Sequence, residues 1–337
     1  MTDLKTYVVG ADLGGTNVRA ALVEEQTGTI VARSENVPSK ALLGADLTAA
    51  QIAFAVERAI TTSGIDRGLI RGVGMAVPGH VHPAEGLVLW APNFYEQWRN
   101  VPLARLVSEH VKLPVYLGND ANLAGLGELT YGIGRGSRHL VILTLGTGVG
   151  GGVIIDGRML LGHDGGAAEL GHMLVAACEN ARGGNAAYGS LEGMVQRDAI
   201  VERAARKLAL GRDSLLAQGP TFVRADLTPK AISDAALAGD VVAIETLQEI
   251  GHYVGLGVAN CINIFNPEIV VIGGGIAQAG DLLMAPIIRS AKVNSVVTLF
   301  ATCRIVLGGL GDNAGIMGAA ALIEHELGLK SWKPVQV

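Results

Sequence analysis

The chain has 337 residues, of which 49% are apolar, 4% aromatic and 17% charged, with 47 glycines and a net charge of −5. That length suits two domains or one large α/β unit, and so much glycine without a repeating period excludes collagen-like and disordered chains. No run of Lys or Arg makes a basic stripe, which argues against nucleic acid as a partner.

The N-terminal stretch MTDLKTYVVGADLGG mixes acid and base early and has no apolar leader, so no signal peptide is expected. TYVVGADLGG reads as a β-branched strand ending in glycines, and ALVEEQTGTIVARSENV continues it as strand, turn, strand. Residues 47–63 place Ile52, Val56, Ala59 and Ile60 on one helical face, with Gly64 as the stop. RGVGMAVPG and LPVYLGND read as further strands, the second opening a helix over ANLAGLGELTYG. HLVILTLGTGVGGGVIIDGRML is two apolar runs joined through glycines. Helices are expected over 192–210, 228–263 and 280–291, with EIVVIGGG a buried strand before the last of these. CRIVLGGLGDN follows, and AGIMGAAALIEHELG is a closing helix. The expected division is a smaller N-terminal α/β domain of residues 1–117 plus 313–337, and a larger α/β domain of residues 118–312.

The apolar segments 140–155 and 253–267 are too short and too rich in Gly or Asn to span a bilayer. Cys178, Cys261 and Cys303 lie far apart with no CxxC pair, which fits a reducing compartment. A cytoplasmic protein with no membrane partner is expected.

Three glycine-rich turns each follow an apolar strand: ADLGGTN (11–17), TLGTGVGGG (144–152) and VIGGGI (271–276). Without a Cβ to block approach, backbone N–H groups in such turns can point at an anion, and three in one chain suggest a nucleotide phosphate. The P-loop pattern is absent. GxGxxG occurs at Gly146, Gly148 and Gly151, but it leads into VIIDG, a second strand, whereas a dinucleotide fingerprint must open a helix. Asp12 has two readings: a carboxylate facing a phosphate-bound Mg²⁺ through water, or a cap on its own turn. Likewise GND at 118–120 is either a helix N-cap or a general base at a strand end.

Taken together, DLGGTNVRAAL, PNFYEQW, LGNDAN, TLGTGVGGGVI, ELGHM, SLEG, FNPEIVVIGGG and GDNAGIMGAA resemble, in order, the motifs of ROK-type sugar kinases from about Tyr7 to Gly328. The resemblance implies an α/β fold of two ribonuclease H-like domains around a cleft, as in the actin, Hsp70 and sugar kinase group. It also implies ATP and a hexose as partners, Mg²⁺ as cofactor and a homodimer. By resemblance Asp120 is the catalytic base, and Asn93, Asn119, Glu169, His172 and Glu192 join it in holding the sugar. Asp12, Gly14, Gly15, Thr16, Asn17, Thr144, Gly146, Thr147, Gly148, Gly274 and Gly275 match the nucleotide loops. These motifs offer no obvious Lys or Arg beside the phosphates, so the metal and loop dipoles are expected to carry that charge.

Glucose is the expected acceptor. A fructokinase or an N-acetylated hexosamine or mannosamine kinase is the alternative within the fold, and polyphosphate is an alternative donor. A sugar-responsive repressor is disfavoured, because DLGGT begins at residue 12 and leaves no room for a helix-turn-helix, and because GND is intact.

His80 and His82, in PGHVHP, read as a turn with no role, and His163 and Asp164 as solvated loop residues. Trp90 and Trp98 are expected at the interdomain hinge. The family's CxCGxxGC zinc segment is missing: its cysteines would fall near Ala181, Gly183 and Ser190, and Cys178 is out of phase. One thiol and His172 cannot satisfy four-coordinate zinc. Metal analysis of the purified protein is therefore expected to find no stoichiometric zinc; one zinc per chain would refute this.

Overall fold

The computed structural model describes residues 5–94, 98–176, 189–217 and 222–330, with side chains up to residue 325. It forms two compact units: Met1–Arg138, Gly152–Ala168 and Gly309–Val337 make the first, His139–Gly151 and Glu169–Gly308 the second.

The first unit opens with strands β1 (Tyr7–Leu13), β2 (Asn17–Glu24), β3 (Thr29–Arg33) and β4 (Val37–Pro38), then helix α1 (Ala45–Ser63) and β5 (Ile70–Val77). A small antiparallel sheet follows from β6 (His80–His82), β7 (Leu87–Trp90) and β8 (Arg99–Val101). Then come α2 (Leu103–Val111), β9 (Val115–Asn119) and α3 (Asp120–Thr130). Next are β10 (Leu140–Leu145), β11 (Val149–Ile155), which begins in the second unit and ends in the first, and β12 (Arg158–Met159). The second unit continues with α4 (Leu191–Val195), α5 (Arg197–Ala209), α6 (Pro229–Leu237), α7 (Val241–Phe265) and β13 (Ile269–Gly273). It ends with α8 (Asp281–Asn294), α9 (Val297–Thr302) and β14 (Arg304–Leu307), and α10 (Ala314–Lys330) returns to the first unit.

The first sheet runs β3-β2-β1-β5-β9, with β4 beside β2. β1, β2 and β3 are antiparallel neighbours, whereas β5 and β9 join β1 in parallel through helical crossovers. That order is the ribonuclease H-like pattern. In the second unit β13 lies between β10 and β14, all three parallel. The expected border after residue 117 falls inside β9; the following residues stay with the first unit because α3 packs along α10. α1 ends where the glycine stop was expected, at Gly64 with φ 67°.

Strand alternation sorts β1 onto two faces. Tyr7, Val9, Ala11 and Leu13 join a core with Ile52, Val56 and Ala59 of α1 and Leu103, Val107 and Val111 of α2. Val8 packs on the other side with Ala21, Val23, Ile316, Met317 and Ala320. On that side the helix touches backbone. A Cβ at Gly10 would strike the Ile316 carbonyl, one at Gly74 the Ala319 carbonyl, and one at Gly318 the Leu123 carbonyl of α3. In the second unit α7 turns Gly251 and Gly255 to α8, where a Cβ would stand 2.5 Å from Pro286 Cγ and 2.5 Å from Ser290 Cβ respectively. Among the described residues no helix is long and apolar enough to cross a membrane.

A methyl group at Gly74 has nowhere to go without lifting α10. Gly74→Ala is expected to lower unfolding free energy by about 1–3 kcal/mol, the usual cost of overpacking. Gly15→Ala is the control, since nothing lies within 4 Å of its added Cβ; its change should stay within about 0.5 kcal/mol. Urea denaturation followed by circular dichroism measures both.

Candidate active site

Parallel register brings the acids of the first unit to one edge. Asp12 pairs with Ala76 of β5, and Val77 pairs with Asn119 of β9, so Asp12, Asn119 and Asp120 all stand at the carboxyl ends of parallel strands. Ligands in α/β sheets bind outside such ends. Asp12 has the parity of Val8 and Gly10, so its carboxylate lies on the α10 face, 3.2 Å from where Gly315 would carry a Cβ. Its cross-strand partner is Arg19, whose guanidinium donates to Oδ2 at 2.6 Å and to the Asp312 carbonyl at 3.2 Å. This corrects the expectation that the motifs lack a cation: Arg19 lies inside DLGGTNVRAAL, and strand register brings it to Asp12. The salt bridge leaves Asp12 engaged by a side chain on the neighbouring strand, not by its own turn.

The turn after Asp12 is compact. Gly14 N–H donates to the Asn17 carbonyl at 2.9 Å, and Ser39 fastens the turn by donating from Oγ to the Gly15 carbonyl at 2.9 Å and from N–H to the Thr16 carbonyl at 2.8 Å. Gly15, Thr16 and Asn17 are exposed beyond these bonds.

Of the two readings of GND, Asn119 takes the capping one. Its Oδ1 accepts from the N–H groups of Ala121 at 2.9 Å and Asn122 at 3.1 Å, and its Nδ2 donates to the Gly79 carbonyl at 3.1 Å. Asp120 follows as the first residue of α3, exposed, with Oδ1 accepting from Ala121 N–H at 2.8 Å. Asn93 is exposed on a 3-10 turn, Pro92–Phe94.

In the second unit Thr144, next to the end of β10, stands opposite Gly273, and Gly146, Thr147 and Gly148 turn the chain into β11. GxGxxG therefore opens a strand and not a helix, as its sequence context required. Gly146 N–H donates to the Gly148 carbonyl at 2.9 Å, and Arg197 N–H reaches the Gly146 carbonyl at 3.3 Å. Glu192 on α4 accepts from Val149 N–H at 2.8 Å through Oε2, so close to Gly148 that a Cβ there would overlap it. Gly171 of ELGH rests against the Val149 carbonyl in the same way. Glu169 and His172 flank it, both exposed, and His172 N–H donates to the Glu169 carbonyl at 3.1 Å. Gly274 has φ 87° and lies against Leu145 backbone, 2.6 Å from its N to a notional Cβ, a place only glycine can fill.

Beside Gly146 and Gly275 opens a cavity of about 370 Å³. Ile200, Pro229, Leu237, Leu247 and Ile276 make it apolar, and Arg197, Ser233, Asp234 and Gln278 add polar groups, with Lys230 paired to Asp234 at 2.7 Å. That mixture suits a flat heterocycle next to a glycine turn. These lining residues are scattered over α5, α6, α7 and the turn after β13, so no local motif marks them.

Other expectations resolve as follows. HVH is a strand and not a turn, because β6 pairs with β7; His80 Nε2 lies 3.3 Å from Asp164, which is thus partnered. Trp98 is fully buried in the first unit's core, donating from Nε1 to the Ala41 carbonyl at 2.9 Å, while Trp90 is exposed with Arg99 over its ring. Burial pushes the Cys261 thiol up to about 12 and the Cys303 thiol up to about 11, so neither supplies a thiolate near neutrality. Cys178, Ala181 and Gly183 lie outside the described residues. Ser190, the third position where the resemblance implied a cysteine, caps α4 by accepting from Gly193 N–H at 3.1 Å.

The family model described as ROK family matches residues 8–326. The chain is 33% identical to a glucokinase of Halalkalibacterium halodurans, over 95% of this chain and 96% of that one. Among solved structures it is similar to a ROK family glucokinase from Streptomyces griseus in complex with glucose and AMPPNP, with TM-score 0.77, 32% identity, and 95% and 99% of the two chains covered. It is also similar to a ROK family transcriptional regulator described as a homologue of Escherichia coli Mlc, with TM-score 0.85, 27% identity, and 97% and 80% coverage. This chain belongs to the ROK family. Its fold is the two-domain, actin-like ATPase fold of that family's sugar kinases.

If Asn119 acts chiefly through α3, its loss should show as stability. Asn119→Ala is expected to cost about 0.5–2 kcal/mol, the range of a lost N-cap. Asn119→Asp, which keeps the capping oxygen, should cost less. Thermal melts of the two variants without sugar test this ordering.

Proposed function

We propose that this protein transfers the γ-phosphoryl group of ATP to a hexose, with glucose the acceptor at its 6-hydroxyl. The observation that carries this reading is the 33–36% identity to glucokinases over nearly the whole chain, joined to acids at the carboxyl ends of β1 and β9.

In this reading Asp120 takes the proton of the sugar hydroxyl as the oxygen attacks Pγ. The bond from Pγ to the bridging oxygen breaks, and ADP leaves with the electron pair. Asn119 orients Asp120 by capping α3. Asn93, Glu169, His172 and Glu192 hold sugar hydroxyls, which both donate and accept. Backbone N–H groups of the turns at Gly14–Asn17, Thr144–Gly148 and Gly274–Gly275 hold phosphates, and the cavity lined by Ile200 and Ile276 takes the adenine. Asp12 already shares one oxygen with Arg19, and so offers too few donors for a resident ion; the set fits a Mg²⁺ that arrives on the phosphates, reached through water. When bound, that ion neutralises charge on the β- and γ-oxygens. Zinc has no part in this reading.

The likeness to regulators raises a second reading, a sugar-binding switch without turnover. A coupled assay with glucose, mannose, fructose, N-acetylglucosamine and N-acetylmannosamine, each with ATP and with polyphosphate, separates the two. Glucose with ATP is expected to give the highest kcat/KM; binding of sugar with no phosphorylation of any would favour the regulator. Asp120→Asn should lower kcat by roughly 10²–10⁴-fold, the range for general-base loss, while calorimetry finds glucose binding little changed. Near-normal turnover in that variant would remove Asp120 from the base role.

A further inference from the structure

Glu192 sits where two parts of the second unit meet. The segment carrying Glu169 and His172 is tied to the start of α4: Leu174 and Ser190 form an antiparallel bridge, and Leu191 N–H donates to the Met173 carbonyl at 2.7 Å. From α4, Glu192 then reaches the glycine turn through Oε2 and Val149 N–H at 2.8 Å. The turn is gripped again on both sides, by Arg197 N–H on the Gly146 carbonyl at 3.3 Å and by Gly171 against the Val149 carbonyl. A Cβ at Gly148 would overlap Glu192 Oε2 unless the carboxylate swung aside. The packing is close enough that a shift of Glu192 must move the turn, or break the bond to it.

We propose that Glu192 is a positioning residue for the phosphate-binding turn, and that through it sugar occupancy raises affinity for the nucleotide. The proposal rests on the kinase reading, in which a sugar hydroxyl also engages this carboxylate. A carboxylate fixed by a sugar holds Val149 N–H in one place, so the turn meets the phosphates already ordered. Linkage makes the effect reciprocal: nucleotide must raise sugar affinity by the same factor.

The test is calorimetric titration of Mg²⁺-AMPPNP with and without saturating glucose, in the wild-type chain, Glu192→Gln and Glu192→Ala. The wild type is expected to bind AMPPNP about ten-fold more tightly with glucose present, inside the usual range of coupling between sites. Glu192→Gln keeps an acceptor for Val149 N–H and should retain most of that ratio, though glucose binds more weakly. Glu192→Ala should bring the ratio close to one, and hydrogen exchange at the Val149 amide should quicken. If Glu192→Ala does not fold, Glu192→Asp, whose arm is one methylene shorter, is expected to lose the ratio instead. A wild-type ratio of one overturns the proposal. So does an alanine variant that weakens AMPPNP equally with and without glucose, because that marks a purely structural residue. If the wild type binds neither ligand, the kinase reading itself fails and takes this proposal with it.

Discussion

Backbone lying directly on backbone is the constraint from which the first unit follows. Helix α10 can cross β1 and β5 only because Gly10 and Gly74 leave no side chain between its carbonyls and the sheet, and it lies close along α3 because Gly318 leaves none before the Leu123 carbonyl. A single methyl at Gly10 or Gly74 would push the helix away from the sheet, and one at Gly318 would push it away from α3. The same contact brings Gly315 to the Asp12 carboxylate and the Asp312 carbonyl to Arg19. Packing that is chemically featureless thus determines where the charged end of β1 points.

A second theme is that the candidate site residues have scaffold duties as well. Asn119 is engaged through both polar atoms of its amide, with the N–H groups of α3 and with Gly79. Glu192 gives one oxygen to Val149, and Asp12 gives one to Arg19. Groups committed in this way lose little further freedom when a ligand arrives, which lowers the entropic cost of binding. Their substitution also affects more than one thing at a time, so binding and stability have to be measured separately.

Much of this was legible in the sequence. The helix of residues 45–63 declared itself through Ile52, Val56 and Ile60 and its glycine stop, and β10 through its unbroken apolar run. The glycine turns could be found because glycine at strand ends is a local signal. The Asp12–Arg19 pair was present in one quoted motif, yet it emerges only when the register of β1 and β2 is known. The cavity was illegible for a related reason: Ile200, Pro229 and Ile276 come from separate elements, and each reads as ordinary core. The division into units was misplaced at residue 117 because composition does not change there; the attachment of α3 to α10 is a tertiary fact.

The division of the chain also orders events during synthesis. One face of the first sheet, with Val8, Ala21 and Val23, is covered by α10, whose residues leave the ribosome only after the whole second unit has been made. At about 5–20 residues per second that interval is on the order of ten seconds or more. Through it, a β-branched surface stands open on a nascent sheet while the second unit can already close on itself. Translation speed and chaperone supply therefore bear on yield of the first unit more than of the second, and a chain released early would carry an uncovered sheet prone to aggregation.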